Sequence, residues 1–227
     1  MSSGPFSRSP VRFAPRAAPF GFERQPPVHA AFFYQDEEFF LRVLCDMALT
    51  SLRTGGAAII LATGAHRRAL ARKLADCGAD LPALKFQHRY AEADVEDVLS
   101  DCMEGSKLNL RKIGMLLGGA ISAARQEPNS KIAPLFVFGE LVAHLWAMRD
   151  IKNLSAMEQL GDQLGPAVST LCGYPIEEFA EAGTERAYLR ICSLHSTVIP
   201  PDAYPSTEAE RRILASTARF YAQAEAQ

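Results

Sequence analysis

The stretch Gly55-Gly56-Ala57-Ala58-Ile59-Ile60-Leu61-Ala62-Thr63-Gly64-Ala65-His66-Arg67-Arg68 decides the fold class. Ala57 to Ala62 is apolar without interruption. So short a run, led in by two glycines, reads as a strand buried on both faces, as in a parallel sheet. The segment before it, Asp36 to Arg53, reads as a helix, because Phe39, Phe40, Val43, Leu44, Met47 and Leu52 recur at three- and four-residue spacing. Asp36, Glu37 and Glu38 lie in its first turn, where the helix dipole favours acids, and Gly55-Gly56 ends it. A second helix is expected from about His66 to Cys77, stopped by Gly78.

Outward from this unit the alternation continues. His29 to Tyr34 reads as an edge or first strand, and Ala83 to Tyr90 as the strand after the second helix. Helices follow over Asp94 to Met103 and Leu108 to Arg125, separated around Gly105. Leu135 to Phe138 is a second strongly apolar strand. Glu140 to Met148 and Leu154 to Leu164 read as helices, and Val168 to Tyr174 as a third buried strand. Ile176 to His195 reads as mostly helical. Strand and helix in alternation predict a three-layer α/β fold, a mainly parallel sheet with helices on both faces. Such sheets bind ligands at the carboxyl ends of their strands, so the loops after Ala62, Tyr90, Phe138 and Tyr174 carry the interest.

The ends differ from the centre. Residues 1 to about 27 hold Pro5, Pro10, Pro15, Pro19, Pro26 and Pro27, with Arg8, Arg12, Arg16 and Arg24 against the single acid Glu23. This reads as a disordered tail, or else as a basic-aromatic docking segment. Residues 28–205 form the expected domain. Thr207 to Ala224 within the last segment, 206–227, reads as a polar helix and is a candidate partner or dimer surface.

Bulk composition bounds the function. The 227 residues are 48% hydrophobic and 22% charged, within the globular range. A net charge of -2 gives no basis for direct nucleic-acid binding, which needs a basic face. No apolar run reaches the length of a membrane span, and no continuous apolar leader marks secretion. Five cysteines without a C-x-x-C pair, Cys45, Cys77, Cys102, Cys172 and Cys192, suit a reduced cytoplasmic protein.

The loop Thr63-Gly64-Ala65-His66-Arg67-Arg68 stands where a nucleotide-binding sheet carries G-x-x-x-x-G-K-[ST], but it lacks the Lys-Ser/Thr pair. Thr63, Gly64, Arg67 and Arg68 could still hold an anion at the helix start. Glu140 follows a buried strand, so it reads either as a favourable first-turn acid or as a carboxylate aimed at a ligand. His144 can share its face. Trp146, the sole tryptophan, reads as core or as a ligand wall. Cys192 and His195 can share one helical face; a metal site there would need two more ligands. Cys172 and His29 supply them only if the fold brings them together, and no metal is expected. A Cys-His catalytic pair lacks a visible third, orienting residue. Gly114 and Gly118 fall on one helix face and suggest close packing.

Several of these pieces together resemble one family. They are His29 with Tyr34; Glu38-Phe39; Gly55-Gly56; Thr63 to Leu74; Phe138-Gly139-Glu140-Leu141-Val142 with Leu145-Trp146; Leu171-Cys172-Gly173-Tyr174-Pro175; and Ile191-Cys192-Ser193-Leu194-His195-Ser196. Their order and spacing resemble the MEDS domain, the sensory domain of the dichloromethane-responsive repressor type. The resemblance implies a degenerate RecA/KaiC-like domain without a working phosphate loop. It further implies a non-enzymatic sensor of a small molecule, such as a hydrocarbon derivative. Its relatives accompany histidine kinases, anti-sigma-type kinases or DNA-binding repressors, so the expected partner here is a separate kinase or transcription regulator. The ligand-binding residues expected on this basis are His29, Tyr34, Glu140, Trp146, Cys172, Tyr174, Cys192 and His195. Gly173 departs from a usual alanine, and Tyr90-Ala91-Glu92-Ala93-Asp94 lacks the aspartate-alanine start of relatives. Two rivals stand beside the sensor: a KaiC-like nucleotide-binding or ATP-hydrolysing module, and an interaction scaffold.

Overall fold

A computed structural model describes residues 29–126, 133–165, 167–181 and 183–199, with the backbone of Arg12 and Phe13. The rest of the expected N-terminal tail and the expected C-terminal helix lie outside these residues.

The elements in chain order are β1 (Arg12–Phe13), β2 (His29–Tyr34), α1 (Glu37–Arg53), β3 (Ala57–Ala62), α2 (Gly64–Asp76), α3 (Leu81–Phe86), β4 (Tyr90–Asp94) and α4 (Val95–Cys102). Then come β5 (Met103–Glu104), β6 (Lys107–Leu108), α5 (Leu110–Ala124), β7 (Leu135–Gly139), α6 (Leu141–Ala147) and α7 (Ile151–Asp162). β8 (Val168–Pro175), a 3-10 turn (Ile176–Phe179), α8 (Glu185–Ser193) and β9 (Thr197–Ile199) complete them. β5 and β6 form a small antiparallel hairpin. The other strands form one sheet in the order β1-β9-β2-β8-β7-β3-β4, and every pairing in it is parallel.

The three layers follow from strand alternation. Ala30, Phe32, Ala58, Ile60, Phe136, Phe138 and Leu171 face the layer of α1 and α2. Ala31, Phe33, Ile59, Leu61, Val137, Cys172 and Tyr174 face the layer of α4 to α8. β2, β3 and most of β7 are buried throughout, which explains their unbroken apolar runs. Asp36 caps α1, accepting from the Phe39 N–H at 2.6 Å. Gly56 is required where β3 begins, since a Cβ there would lie 1.9 Å from the Pro134 carbonyl oxygen. Among the described residues, no helix is long and apolar enough to cross a membrane.

Several expectations shift. The strand expected at Ala83 to Tyr90 is instead α3 followed by β4. Asp80 caps α3 through the Ala83 N–H, and Pro82 sits in its first turn. His88, at φ 55°, turns the chain into β4. β2 is interior rather than an edge strand, because β9 pairs along it. The expected helix over Ile176 to His195 breaks into the 3-10 turn and α8. Gly114 meets only an ordinary contact with Leu160 at 3.9 Å and Gly118 faces open space, so neither marks a close helix approach.

Candidate functional site

The expected site residues divide between the two faces of the sheet. Gly139 pairs with Cys172 in register, and Cys172 pairs with Ala31. Glu140 stands one residue further along and turns to the α2 side. Its buried carboxylate accepts from the Thr63 N–H at 2.8 Å and from His66 Nδ1. Glu37 lies 3.5 Å from the other His66 ring nitrogen. Tyr34 joins this group through Phe40, whose ring stacks on Tyr34 at 4.2 Å and lies 4.9 Å from His66. Burial works to lower the His66 pKa, but the bond to Glu140 and the charges of Glu140 and Glu37 raise it above its ordinary 6.5.

This arrangement changes the reading of the Thr63–Arg68 loop. Its first N–H already holds an anion, the protein's own Glu140, so an incoming phosphate would have to displace a buried carboxylate. Arg67 is also engaged, 2.6 Å from Asp94 at the end of β4. Burying the Glu140 carboxylate is sustained by these donors. His66 is the partner that sequence reading missed. Its signal was its place in the first turn of α2, one turn after a strand end.

The opposite face holds the denser constellation. His29 at the start of β2, Cys172 in β8, Glu158 on α7 and His195 after α8 bring their ligating atoms within 4.8 Å of one another, and all four residues are buried. Glu158 Oε2 lies 3.0 Å from His29 Nε2, 3.0 Å from His195 Nε2 and 3.2 Å from Cys172 Sγ. Cys172 Sγ is 3.5 Å from His29 Nε2. The Tyr174 hydroxyl donates to Glu158 Oε1. The two imidazoles face each other, with centroids 4.2 Å apart.

Each imidazole is oriented from behind. His29 Nδ1 is 2.8 Å from Asp162 Oδ1, and His195 Nδ1 is 2.7 Å from the Ile191 carbonyl. A carboxylate and a carbonyl only accept, so both Nδ1 atoms carry the proton and donate it. Both Nε2 atoms therefore turn inward. Burial alone would lower the His29 pKa, but Cys172, Asp162 and Glu158 raise it to about 12. His195 is likewise pulled down by burial yet raised to about 9, chiefly by Glu158. Burial works against the Glu158 charge, but the two histidines outweigh it and hold its carboxyl well below the ordinary range.

The local sequence explains the convergence. Gly161 lies one turn after Glu158 on α7, and a Cβ there would come within 2.9 Å of His29 Nε2. Glycine leaves room for the imidazole against the helix. Glu158 escaped the sequence reading because it sits in a polar stretch, Met157-Glu158-Gln159. Its one signal was its place four residues after Leu154, on the buried stripe of α7.

Cys192 and Trp146 stand apart from this group. Cys192 is buried but is not one of the converging donors, and burial pushes its thiol up to about 12. Trp146 packs flat on Phe179 at 4.6 Å and donates to the Glu178 carbonyl at 3.0 Å. The structure does supply the orienting acid that a Cys-His pair seemed to lack, since His29 lies between Cys172 and Asp162.

A cavity of about 30 Å³ adjoins the cluster. Leu61, Leu117, Val137, Phe138, Leu141, Val142, Met157 and Leu164 wall it, and Gly139, Gly161, Thr170 and Cys172 complete its lining. It is apolar apart from the Thr170 hydroxyl and the Cys172 thiol.

Fold and site thus define a three-layer α/β module with a buried cluster of ionisable residues beside a small apolar cavity. The sequence model of the family described as MEDS, MEthanogen/methylotroph, DcmR Sensory domain, matches residues 28–195. The chain belongs to this family of sensory domains. No curated protein and no solved structure matches it.

Proposed function

We propose that the chain senses a small, largely apolar molecule, such as a short hydrocarbon derivative, bound beside Cys172, and relays occupancy to a signalling partner. The observation that carries this reading is the cavity itself: apolar walls with one thiol and one hydroxyl at hand. A water needs roughly 10–15 Å³ by this measure, so about 30 Å³ suits a molecule of only a few heavy atoms. The route outward is α7, which contributes Met157 and Gly161 to the wall and Glu158 and Asp162 to the cluster. A ligand shifts such an element only by binding its two positions with different affinity.

Thermal unfolding with dichloromethane, acetone and 2-propanol as probes tests this reading. At a hundred times its Kd, a bound probe stabilises the folded chain by about 2.7 kcal/mol. A Cβ at Gly139, which lines the cavity, would meet no atom within 4 Å, so Gly139→Val builds into the cavity from an open position. Saturable stabilisation of the wild type that is lost in Gly139→Val supports the reading. Equal stabilisation of both places the ligand elsewhere.

A further inference from the structure

We propose that His29, Cys172, Glu158 and His195 form a site for one divalent transition-metal ion, of the zinc class. The proposal concerns the cluster rather than the cavity, so it can fail while the small-molecule reading stands.

Three observations carry it. The first is the donor set: two imidazole nitrogens, a thiol sulfur and a carboxylate oxygen, which suits four-coordinate Zn²⁺ or its close relatives. The second is spacing. Bonds of about 2.0–2.3 Å in a tetrahedron separate neighbouring ligand atoms by roughly 3.3–3.7 Å. The separations here are 3.0, 3.0, 3.2 and 3.5 Å, with none of the converging atoms beyond 4.8 Å. Small side-chain adjustments close the difference.

The third observation is the outer shell. A ligating histidine donates its far ring N–H to a carboxylate or backbone carbonyl, which fixes its tautomer. Asp162 does this for His29, and the Ile191 carbonyl does it for His195. His195 Nε2 is buried and has no hydrogen-bond partner among the described residues, although Glu158 Oε2 is 3.0 Å away. Its N–H direction misses the carboxylate. The Tyr174 hydroxyl engages the other oxygen of Glu158, leaving Oε2 as the inward donor.

Binding would release three protons: one from each imidazolium Nε2, of His29 and of His195, and the Cys172 thiol proton now given to Glu158. The cation would then balance two anions and two neutral imidazoles within one buried space.

Cobalt(II) alone is the probe for the test, titrated into the full chain after chelator treatment. The expected result is one ion per chain, intense visible bands of tetrahedral cobalt, and sulfur-to-cobalt charge transfer in the near ultraviolet. Cys172→Ser should remove the charge-transfer band, whereas Cys77→Ser, at the exposed thiol, should not. Asp162→Asn touches no ligand atom and sits at the surface end of the cluster, so it offers a variant with little folding risk. It should weaken binding about 10–100-fold while keeping the band. A folded wild-type chain that takes up no cobalt overturns the proposal. So does a charge-transfer band that survives Cys172→Ser, or binding that Asp162→Asn leaves unchanged.

Discussion

Replacing Gly161 by alanine should destabilise this protein, against the usual effect of that change in a helix. Alanine in a helix interior is favoured over glycine by about 1 kcal/mol. Here the new methyl would lie 2.9 Å from His29 Nε2 and 3.2 Å from Cε1. The imidazole has little freedom to yield. Asp162 holds its Nδ1, His195 lies against its face, and hydrogen bonds between His29 and Ser196 fix the backbone behind it. Overpacking of a fixed core costs about 1–3 kcal/mol, so the net loss is about 1 kcal/mol once the helix gain is subtracted. For a chain of this size that lowers Tm by about 2–4 °C. Gly139→Ala is the control: its Cβ meets nothing within 4 Å, and the change should stabilise by about 0.4–1 kcal/mol. Differential scanning calorimetry on both variants reads the pair of signs. If Gly161→Ala raises Tm as an ordinary helical substitution does, the seating of His29 against α7 is wrong.

Further outcomes follow from the other face and from the aromatic layer. The His66 pKa is raised in the folded state, so its contribution to stability is full below the unfolded value of 6.5 and is lost as pH rises through the higher folded value. The urea-midpoint difference between wild type and His66→Gln should therefore shrink as pH rises above 6.5 and through the raised folded value; a constant difference would contradict the Glu140 pairing. Trp146, only 3% exposed and stacked on Phe179, should emit at short wavelength and resist acrylamide quenching. A red-shifted, readily quenched emission would place it at the surface.

Much of the fold was legible because its strands are short apolar runs between periodic helices. Ala57 to Ala62 and Leu135 to Phe138 are uninterrupted apolar runs flanked by glycine or proline, and both are buried strands. The failures have physical causes. Ala83 to Phe86 is too short an apolar run for periodicity to separate helix from strand. β4 carries Glu92 and Asp94 because it lies at the described edge of the sheet, so its polar residues hid it. Strand-end logic gathered Glu140 with His29 and His195, whereas the two-residue alternation of strands puts them on opposite faces. Within the site, His29, Cys172, Tyr174 and His195 were legible and do meet. Glu158 was not, since a buried acid inside a polar helical stretch looks like any solvated one.

The cavity beside Cys172 is tested most directly by methyl resonances of the full chain during titration with dichloromethane. The account predicts saturable shifts confined to the lining methyls of Leu61, Leu117, Val137, Leu141, Val142, Met157 and Leu164, and their loss in Gly139→Val. Ile60 and Leu70, on the far side of the sheet, should stay still. Shifts centred on Ile60 and Leu70, or shifts that persist unchanged in Gly139→Val, would contradict it.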